Sequence, residues 1–235
     1  MTALRSTLYL IWFVAWTAVI WIGFSPIFLA PRRWTAWSMG LWAKGLQVGL
    51  WAICGVRTEV RGLERLPKGA ALIAAKHQCM FDTVAPFHFM RDACFVMKKD
   101  LMIIPLYGWY AAKNRMIVVD REGHSKALRA MLADTRERIA DGRQVIIYPE
   151  GTRGPPGAAP DYKPGIAGLY RDLELPCIPM ATNSGVHWPA HGFMRHPGTI
   201  VFEFLPAIPP GLKRADFMRT LEDRIETASR ALLAD

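Results

Sequence analysis

The chain has 235 residues, of which 51% are hydrophobic and 21% charged, so it is too apolar for a disordered protein. The 29 basic and 20 acidic residues give a formal net charge of +9, which favours a phosphate-bearing partner, either a nucleic acid or a membrane. Most of the tryptophans lie in the first 51 positions, and indole rings concentrate at membrane boundaries, so the membrane is the better prediction.

The first predicted element is an apolar helix. No charged side chain occurs from Ser6 to Pro31, and the stretch LYLIWFVAWTAVIWIGF is apolar on every helical face. A helix from about Thr7 to Phe24 would be roughly 27 Å long at about 1.5 Å per residue, close to the hydrocarbon thickness of a bilayer. A membrane span and a re-entrant helix both remain open. A secretory signal is disfavoured, because no A-x-A cleavage site closes the stretch.

A second apolar stretch follows two helix-breaking prolines and the pair Arg32 and Arg33. It runs from Trp34 to Val56 and is interrupted by Lys44 and Gln47, which share one helical face. We interpret the two stretches as a membrane-anchoring helical hairpin over residues 1–55. The alternative is a pair of buried helices in a soluble core, against which the dense tryptophan content argues.

Residues 56–235 have the pattern of an α/β domain, with short β-rich runs that alternate with helical stretches. We expect a mixed sheet flanked by helices. The clearest helices run from Ser125 to Asp141, with Gly142 as its stop, and from Asp216 to about Leu233. The predicted strands are Arg57 to Arg61, Ala71 to Ala75, Ala93 to Met97, Met116 to Val119, Gln144 to Tyr148, Cys177 to Ala181 and Thr199 to Phe204.

The four cysteines are scattered, with no C-x-x-C pair and no histidines at metal-ligand spacing. This disfavours a structural zinc site and a disulfide scaffold, although an even count does not forbid disulfides. The cysteines are Cys54, Cys79, Cys94 and Cys177, which we expect to be buried or free thiols.

A histidine and an aspartate follow the second predicted strand. His77 precedes Asp82 by five positions, an offset that would point their side chains about 140° apart on one continuous helix. They can meet only across a turn, where the carboxylate would fix the imidazole tautomer and leave a general base that lacks its own nucleophile. The alternative is that Asp82 caps a helix beginning at Thr83 and His77 satisfies a local backbone group.

The loop after the fifth predicted strand carries a guanidinium. It has the sequence YPEGTR, in which Gly151 permits close backbone approach, Thr152 offers a hydroxyl and Arg153 can grip a phosphate bidentately. Glu150 either orients Arg153 or accepts a hydrogen bond from a substrate hydroxyl. A local ion pair between Glu150 and Arg153, of little energetic value if exposed, is the simpler interpretation.

These motifs together resemble those of the glycerolipid acyltransferases. The dyad resembles the family's H-x4-D motif, and the loop resembles its F-P-E-G-T-R motif. Further similarities lie between and after these two: the K-x-E-L-x-x-x-P-x-x-G-W stretch over residues 98–109, the F-I-D-R motif over residues 118–121, and the I-P-V motif over residues 177–181. The similarity spans roughly Val60 to Phe204, and the apolar hairpin in front suits the bacterial 1-acylglycerol-3-phosphate acyltransferases.

The resemblance implies direct transfer of a fatty acyl group from acyl-CoA or acyl-carrier protein to lysophosphatidic acid, giving phosphatidic acid. It implies no acyl-enzyme, no metal and no resident cofactor, and a catalytic domain on the cytoplasmic face of a bacterial inner membrane. The general base would be His77, with Asp82 orienting it. The acceptor's phosphate and glycerol end would contact Lys98, Arg121, Glu150, Gly151, Thr152 and Arg153.

Departures from the family pattern leave the acceptor open. Lys76 stands where an Asn commonly precedes the histidine, and Gly154 follows Arg153 where Ser is usual. Another lysolipid, such as a lyso-ornithine lipid, is therefore an alternative acceptor. A non-enzymatic membrane-binding module is a further alternative, but it makes the ordered motifs a coincidence. Nucleic-acid binding is disfavoured, because the basic residues form no long run and no nucleic-acid-binding motif occurs.

Overall fold

The computed structural model describes residues 1–120 and 124–234. Within them, seven strands form one sheet, and each predicted strand is confirmed with ends that shift by at most one residue. The strands are β1 (Val56–Arg61), β2 (Ala71–Ala75), β3 (Ala93–Lys98), β4 (Ile117–Val119), β5 (Gln144–Ile147), β6 (Cys177–Thr182) and β7 (Gly198–Phe204).

Helices flank this sheet, as the sequence predicts. The α-helices of the described residues are α1 (Thr2–Gly23), α2 (Arg32–Cys54), α3 (Pro86–Phe89), α4 (Tyr107–Lys113), α5 (His124–Ala140), α6 (Gly165–Leu173), α7 (Ser184–His187) and α8 (Arg214–Ala231). Helix α5 packs on β4 and β5, and α8 packs on β6. Gly142 has a φ of 77° just beyond α5, a conformation that suits glycine at a helix end.

The order of the strands brings one set of carboxyl ends together. The order is β1-β7-β6-β2-β5-β3-β4, in which β6, β2, β5, β3 and β4 run parallel. Strand β7 is antiparallel to β6, and β1 is parallel to β7, so the sheet is mixed, as predicted. The residues that follow the parallel strands therefore share one edge of the sheet, the edge at which α/β proteins bind ligands.

The central strands are buried along their whole length because both faces of the sheet are covered. Every residue of β2 (ALIAA), β5 (QVII) and β6 (CIPMAT) is buried. Continuous apolar runs of this kind are typical of parallel strands with helices on both faces.

The N-terminal helices pack antiparallel through tryptophan rings and glycines. The indole Nε1 of Trp12 donates to the carbonyl oxygen of Gly45 at 3.1 Å, and Trp16 Nε1 donates to that of Trp42 at 3.0 Å. A Cβ at Gly45 would lie 2.2 Å from the Trp16 ring, and one at Gly49 would lie 2.1 Å from the Trp12 ring. Only glycine at these two positions lets the indole rings approach the α2 backbone so closely.

The two helices differ in what they contact. Helix α2 packs against β1, α3 and α4, and buries Met39, Trp42, Leu46 and Leu50 in the same apolar core as the central strands. Helix α1 packs chiefly on α2 and is mostly exposed; its length and composition would allow it to cross a membrane. The helix begins at Thr2, earlier than the predicted Thr7, so Arg5 is helical. Its exposed aliphatic residues include Leu8, Leu10, Ile11, Val14, Val19 and Ile22.

Candidate active site

The candidate site lies where two neighbouring parallel strands end. Strand β2 runs directly into Lys76 and His77, and β5, its hydrogen-bonded neighbour, runs into the loop Tyr148–Arg153. The loop docks on the histidine, because the Gly154 backbone N–H donates to the His77 carbonyl oxygen at 3.0 Å. The sheet therefore brings together two motifs that are separated by about 70 positions in the sequence.

The imidazole and the carboxylate meet across a turn, as their spacing requires. His77 Nδ1 lies 3.0 Å from Asp82 Oδ2. Asp82 sits in the short 3-10 helix Met80–Thr83, and the same oxygen accepts the backbone N–H groups of Gln78 at 2.7 Å and Cys79 at 2.8 Å. Asp82 thus closes this turn from within it and also holds the imidazole. The alternative interpretation, in which Asp82 caps a helix beginning at Thr83, is wrong, because the next helix, α3, begins at Pro86.

A tyrosine fixes the face of the imidazole. The Tyr148 ring stacks on that of His77, with the centroids 4.1 Å apart and the planes at 23°. Its hydroxyl donates to the Asp82 carbonyl oxygen at 2.6 Å, and burial raises its pKa well above the usual value, so the hydroxyl stays protonated. The imidazole is therefore held at its Nδ1 edge by Asp82 and on one ring face by Tyr148. With Nδ1 engaged by Asp82, Nε2 is the ring nitrogen left to take a proton from a substrate.

Glu150 holds the histidine backbone. Its Oε2 accepts the His77 backbone N–H at 3.0 Å, and its Oε1 accepts from the Lys76 ammonium at 2.6 Å. The carboxylate is buried, and among the described residues it makes no ion pair with Arg153. The simpler interpretation of a local Glu150–Arg153 pair is therefore wrong. The geometry favours Glu150 as a residue that positions His77 over one that orients Arg153.

The remaining loop residues are open to solvent beside the dyad. Gly151 has a φ of 68°, in the left-handed region that glycine adopts without strain, and the side chains of Thr152 and Arg153 are exposed. Arg153 directly precedes Gly154, whose N–H binds the His77 backbone. The backbone at Arg153 is therefore fixed beside the dyad, and the guanidinium can reach an anion bound near His77.

Of the two further predicted basic residues, Lys98 lies at a neighbouring strand end. Lys98 is the last residue of β3, which pairs with β5, and its ammonium forms an ion pair with Asp100. Lys98 therefore shares the sheet edge with the dyad, but its side chain is half exposed and already paired. Arg121 lies outside the described residues, just after Asp120, which pairs with Lys99 at 3.0 Å.

Cys79 lies beside the dyad but is not a nucleophile. Its Sγ is buried 3.6 Å from Asp82 Oδ1, and burial together with the Asp82 charge raises the thiol pKa well above its usual value. Since the thiolate is the reactive form of cysteine, this thiol is inert. All four cysteines are buried free thiols.

Three residues of the site were missed as functional by the sequence prediction. Tyr148 was assigned to a strand and to the first position of the loop motif, without a role of its own. Lys76 was noted only as a departure from the family pattern, and Glu226, whose Oε1 accepts from the Lys76 ammonium at 2.7 Å, was given no role. For Lys76, the available signal was its position directly after a fully apolar strand, because the end of such a strand lies close to the core. Glu226 lies in a charged helix, where a glutamate normally faces water and gives no signal.

Comparison with known proteins places the chain among acyltransferases. A family model described as Acyltransferase matches residues 57–183. A Pseudomonas aeruginosa 1-acyl-sn-glycerol-3-phosphate acyltransferase is 32% identical over 213 residues, 88% of this chain and 81% of that protein. The human 1-acyl-sn-glycerol-3-phosphate acyltransferase beta is 28% identical over 183 residues, 76% of this chain and 64% of the human protein.

The fold is shared with a solved structure. The crystal structure of the 1-acyl-sn-glycerophosphate (LPA) acyltransferase of Thermotoga maritima superposes with a TM-score of 0.83 and covers 100% of this chain and 99% of that one. The sequence identity is 21%, so this likeness establishes the common fold and no more.

Proposed function

This chain belongs to the acyltransferase family, and from that premise we propose that it converts 1-acylglycerol-3-phosphate into phosphatidic acid. The acyl group comes from a thioester, either acyl-CoA or acyl-carrier protein, and goes to the free hydroxyl of the acceptor. The names of the similar proteins support the acceptor, and the ordered motifs around His77 and Arg153 support the reaction.

The contact between His77 and Asp82, at 3.0 Å, is the observation that carries the proposal. His77 Nε2 removes the proton of the acceptor hydroxyl as its oxygen attacks the thioester carbonyl carbon. The buried Asp82 carboxylate stabilises the imidazolium that forms. The tetrahedral intermediate then loses its thiolate, which takes the proton from His77, so the ester forms and the base is regenerated. No acyl-enzyme is needed, in agreement with the inert thiol of Cys79.

The acceptor phosphate is held by positive charge at the same sheet edge. Arg153 offers a planar pair of donors, and Thr152 and the backbone at Gly151 complete the contact. Lys98 adds charge from the end of β3, and the resemblance assigns Arg121 to the same role. Glu150 contributes by fixing the loop to His77, since both of its oxygens have protein partners.

The membrane supplies the acceptor, and α1 anchors the enzyme there. The exposed face of α1 is aliphatic, and tryptophans lie on both N-terminal helices, a composition suited to the lipid boundary. We place the enzyme at a bacterial inner membrane with its site on the cytoplasmic face, where both thioester donors are made. The net charge of +9 favours the anionic lipid and the acidic donors.

The test is a defined assay with purified protein, acyl-CoA or acyl-carrier protein, and a panel of lysolipids. We expect wild-type turnover with lysophosphatidate and a loss of about 10²-fold or more in His77→Ala. Arg153→Ala is expected to raise the KM for lysophosphatidate far more than for a phosphate-free lyso-ornithine lipid. Equal turnover by wild type and His77→Ala would contradict the role of His77 as the general base. If wild type turned over the lyso-ornithine lipid faster than lysophosphatidate, the acceptor would be the lyso-ornithine lipid and the reaction would still be acyl transfer.

A further inference from the structure

A buried lysine lies between two buried carboxylates directly behind the catalytic dyad. Lys76 is 2% exposed, and its ammonium lies 2.6 Å from Glu150 Oε1 and 2.7 Å from Glu226 Oε1. Glu150 and Glu226 are 8% and 5% exposed. Desolvating three charged groups is costly, so such a cluster persists only when its geometry satisfies each group.

This cluster is connected to His77 through one carboxylate. Glu150 uses Oε1 for the Lys76 ammonium and Oε2 for the His77 backbone N–H. A carboxylate held at one oxygen only can turn about its terminal torsion, which has a broad energy minimum. The Lys76 ammonium therefore fixes the direction in which Glu150 presents its second oxygen to His77.

The other carboxylate comes from a part of the chain beyond the matched family segment. Glu226 lies on α8, whereas the family model ends at residue 183. The Tyr162 hydroxyl donates to Glu226 Oε1 at 3.0 Å, and burial and the Glu226 charge raise the Tyr162 pKa, so this donor stays protonated. Glu226 thus anchors the ammonium to α8 and to the loop that carries Tyr162.

We propose that Lys76 and Glu226 are positioning residues for His77: the ammonium, held by Glu226, orients Glu150 so that it fixes the histidine backbone. This inference rests on the proposed function. Lys76 touches neither substrate and exchanges no proton in the reaction. Its effect is on the rate, because catalytic groups must stay within about 0.5 Å of the productive geometry.

The first variant to test is Lys76→Met, which keeps the length of the side chain and removes its charge. We expect kcat to fall on the order of tenfold to a hundredfold while the KM values for acceptor and donor stay within about twofold. Partial unfolding would also lower the apparent kcat at an unchanged KM, so kcat is expressed per folded enzyme, with the folded fraction measured by circular dichroism at the assay temperature. The melting temperature should also fall, because two buried carboxylates then lack a counter-charge.

A double variant separates positioning from charge balance and is easier to fold. Lys76→Met with Glu226→Gln leaves one buried carboxylate instead of two, so we expect the melting temperature to recover relative to Lys76→Met. The value of kcat should stay low, because Glu150 still lacks the ammonium. Glu226→Gln alone removes the charge that holds the ammonium but keeps an amide oxygen that accepts from it, so we expect kcat to fall by a few-fold, less than in Lys76→Met.

A matched control lies on the same helix. Arg219 forms an exposed ion pair with Asp216 on α8, so Arg219→Met should change neither kcat nor the melting temperature. If wild type transfers no acyl group to any lysolipid, the proposed function and this inference both fail. If wild type is active but Lys76→Met keeps its kcat, or the double variant recovers kcat together with its melting temperature, only the inference fails.

Discussion

The N-terminal helix pair and the sheet domain differ in where they place their polar and apolar groups. Between α1 and α2, indole N–H groups point inward to backbone carbonyls, while aliphatic side chains such as Ile11, 61% exposed, point outward. In the sheet domain, aliphatic residues fill the interior, and one group of buried charges, Lys76, Asp82, Glu150 and Glu226, lies around His77 at one edge of the sheet. The outward face of α1 is therefore suited to apolar surroundings. The edge of the sheet around His77 carries the charged groups that a reaction requires.

The two regions also satisfy their buried polar groups in different ways. The helix pair uses single hydrogen bonds from rings to backbone, such as Tyr9 Oη to the Leu46 carbonyl oxygen at 3.3 Å. The sheet edge around His77 uses charge-assisted bonds, which engage Asp82 Oδ2 and both carboxylate oxygens of Glu150. We therefore expect substitutions at the edge to act mainly on the rate, and substitutions in the helix pair to act on membrane binding and stability.

The largest effect is expected from Asp82→Asn. The amide keeps the size of the carboxylate but loses the charge that stabilises the imidazolium, so kcat should fall by about 10²- to 10⁴-fold. Steady-state kinetics measure the change. Thr83→Ala removes only an exposed hydroxyl that bonds to the Met80 carbonyl oxygen, and it should leave kcat unaffected. A similar loss in both variants would mean that the turn, and not the Asp82 charge, supports the rate.

The next effect concerns the outward face of α1. Ile11→Lys places an ammonium on that face and should weaken membrane binding by up to about 3 kcal/mol. Flotation with phospholipid vesicles measures the bound fraction. Leu233→Lys changes a residue beyond α8 that is 41% exposed and should leave the bound fraction unchanged. Unchanged flotation of Ile11→Lys would show that this face does not meet lipid.

A smaller effect is expected from Gly49→Ala, which tests the packing between the helices. The new Cβ would meet the Trp12 ring at 2.1 Å, so we expect a loss of about 1 to 3 kcal/mol in the free energy of unfolding. Gly23→Ala is the matched control, because nothing lies within 4 Å of its Cβ and alanine favours a helix. Urea unfolding in detergent compares the two, and equal stability would contradict the close contact.

The smallest effect is expected at Cys79. Because the pKa of its thiol is raised, the thiol stays neutral through pH 8 and its substitution removes no nucleophile. Cys79→Ala should keep kcat within a few-fold, and an alkylating reagent at pH 8 should leave wild-type activity intact. Rapid inactivation by the reagent that Cys79→Ala prevents would show that the thiolate is accessible after all.

The sequence predicted the strands well because their patterns are local. Short apolar runs such as ALIAA and CIPMA, which polar residues follow at Lys76 and Thr182, are typical of buried strands. The mixed sheet with flanking helices was confirmed, and the fold is that of the solved Thermotoga structure. The order of the strands was not predicted, because strand pairing depends on contacts between residues far apart in the chain.

The candidate site was predicted in its parts but not in its connections. The chemistry of His77, Asp82 and Arg153 follows from residue type and from the short spacing within each motif. The ion pair between Glu150 and Arg153, one of the alternatives that the sequence left open, does not form; Lys76 is brought to Glu150 instead by the pairing of β2 with β5. Closeness in the sequence therefore did not identify the cation that pairs with Glu150.

The amino-acid sequence by itself determined the apolar α1, the strands, the dyad and the guanidinium loop, since each depends on residues within a few positions of one another. Only the tertiary structure decided that Tyr148 covers the imidazole and that Glu226 reaches Lys76 across 150 positions. The physical reason is that a buried charge takes its partner from whichever elements the sheet brings within about 3 Å, a distance that the order of residues does not encode.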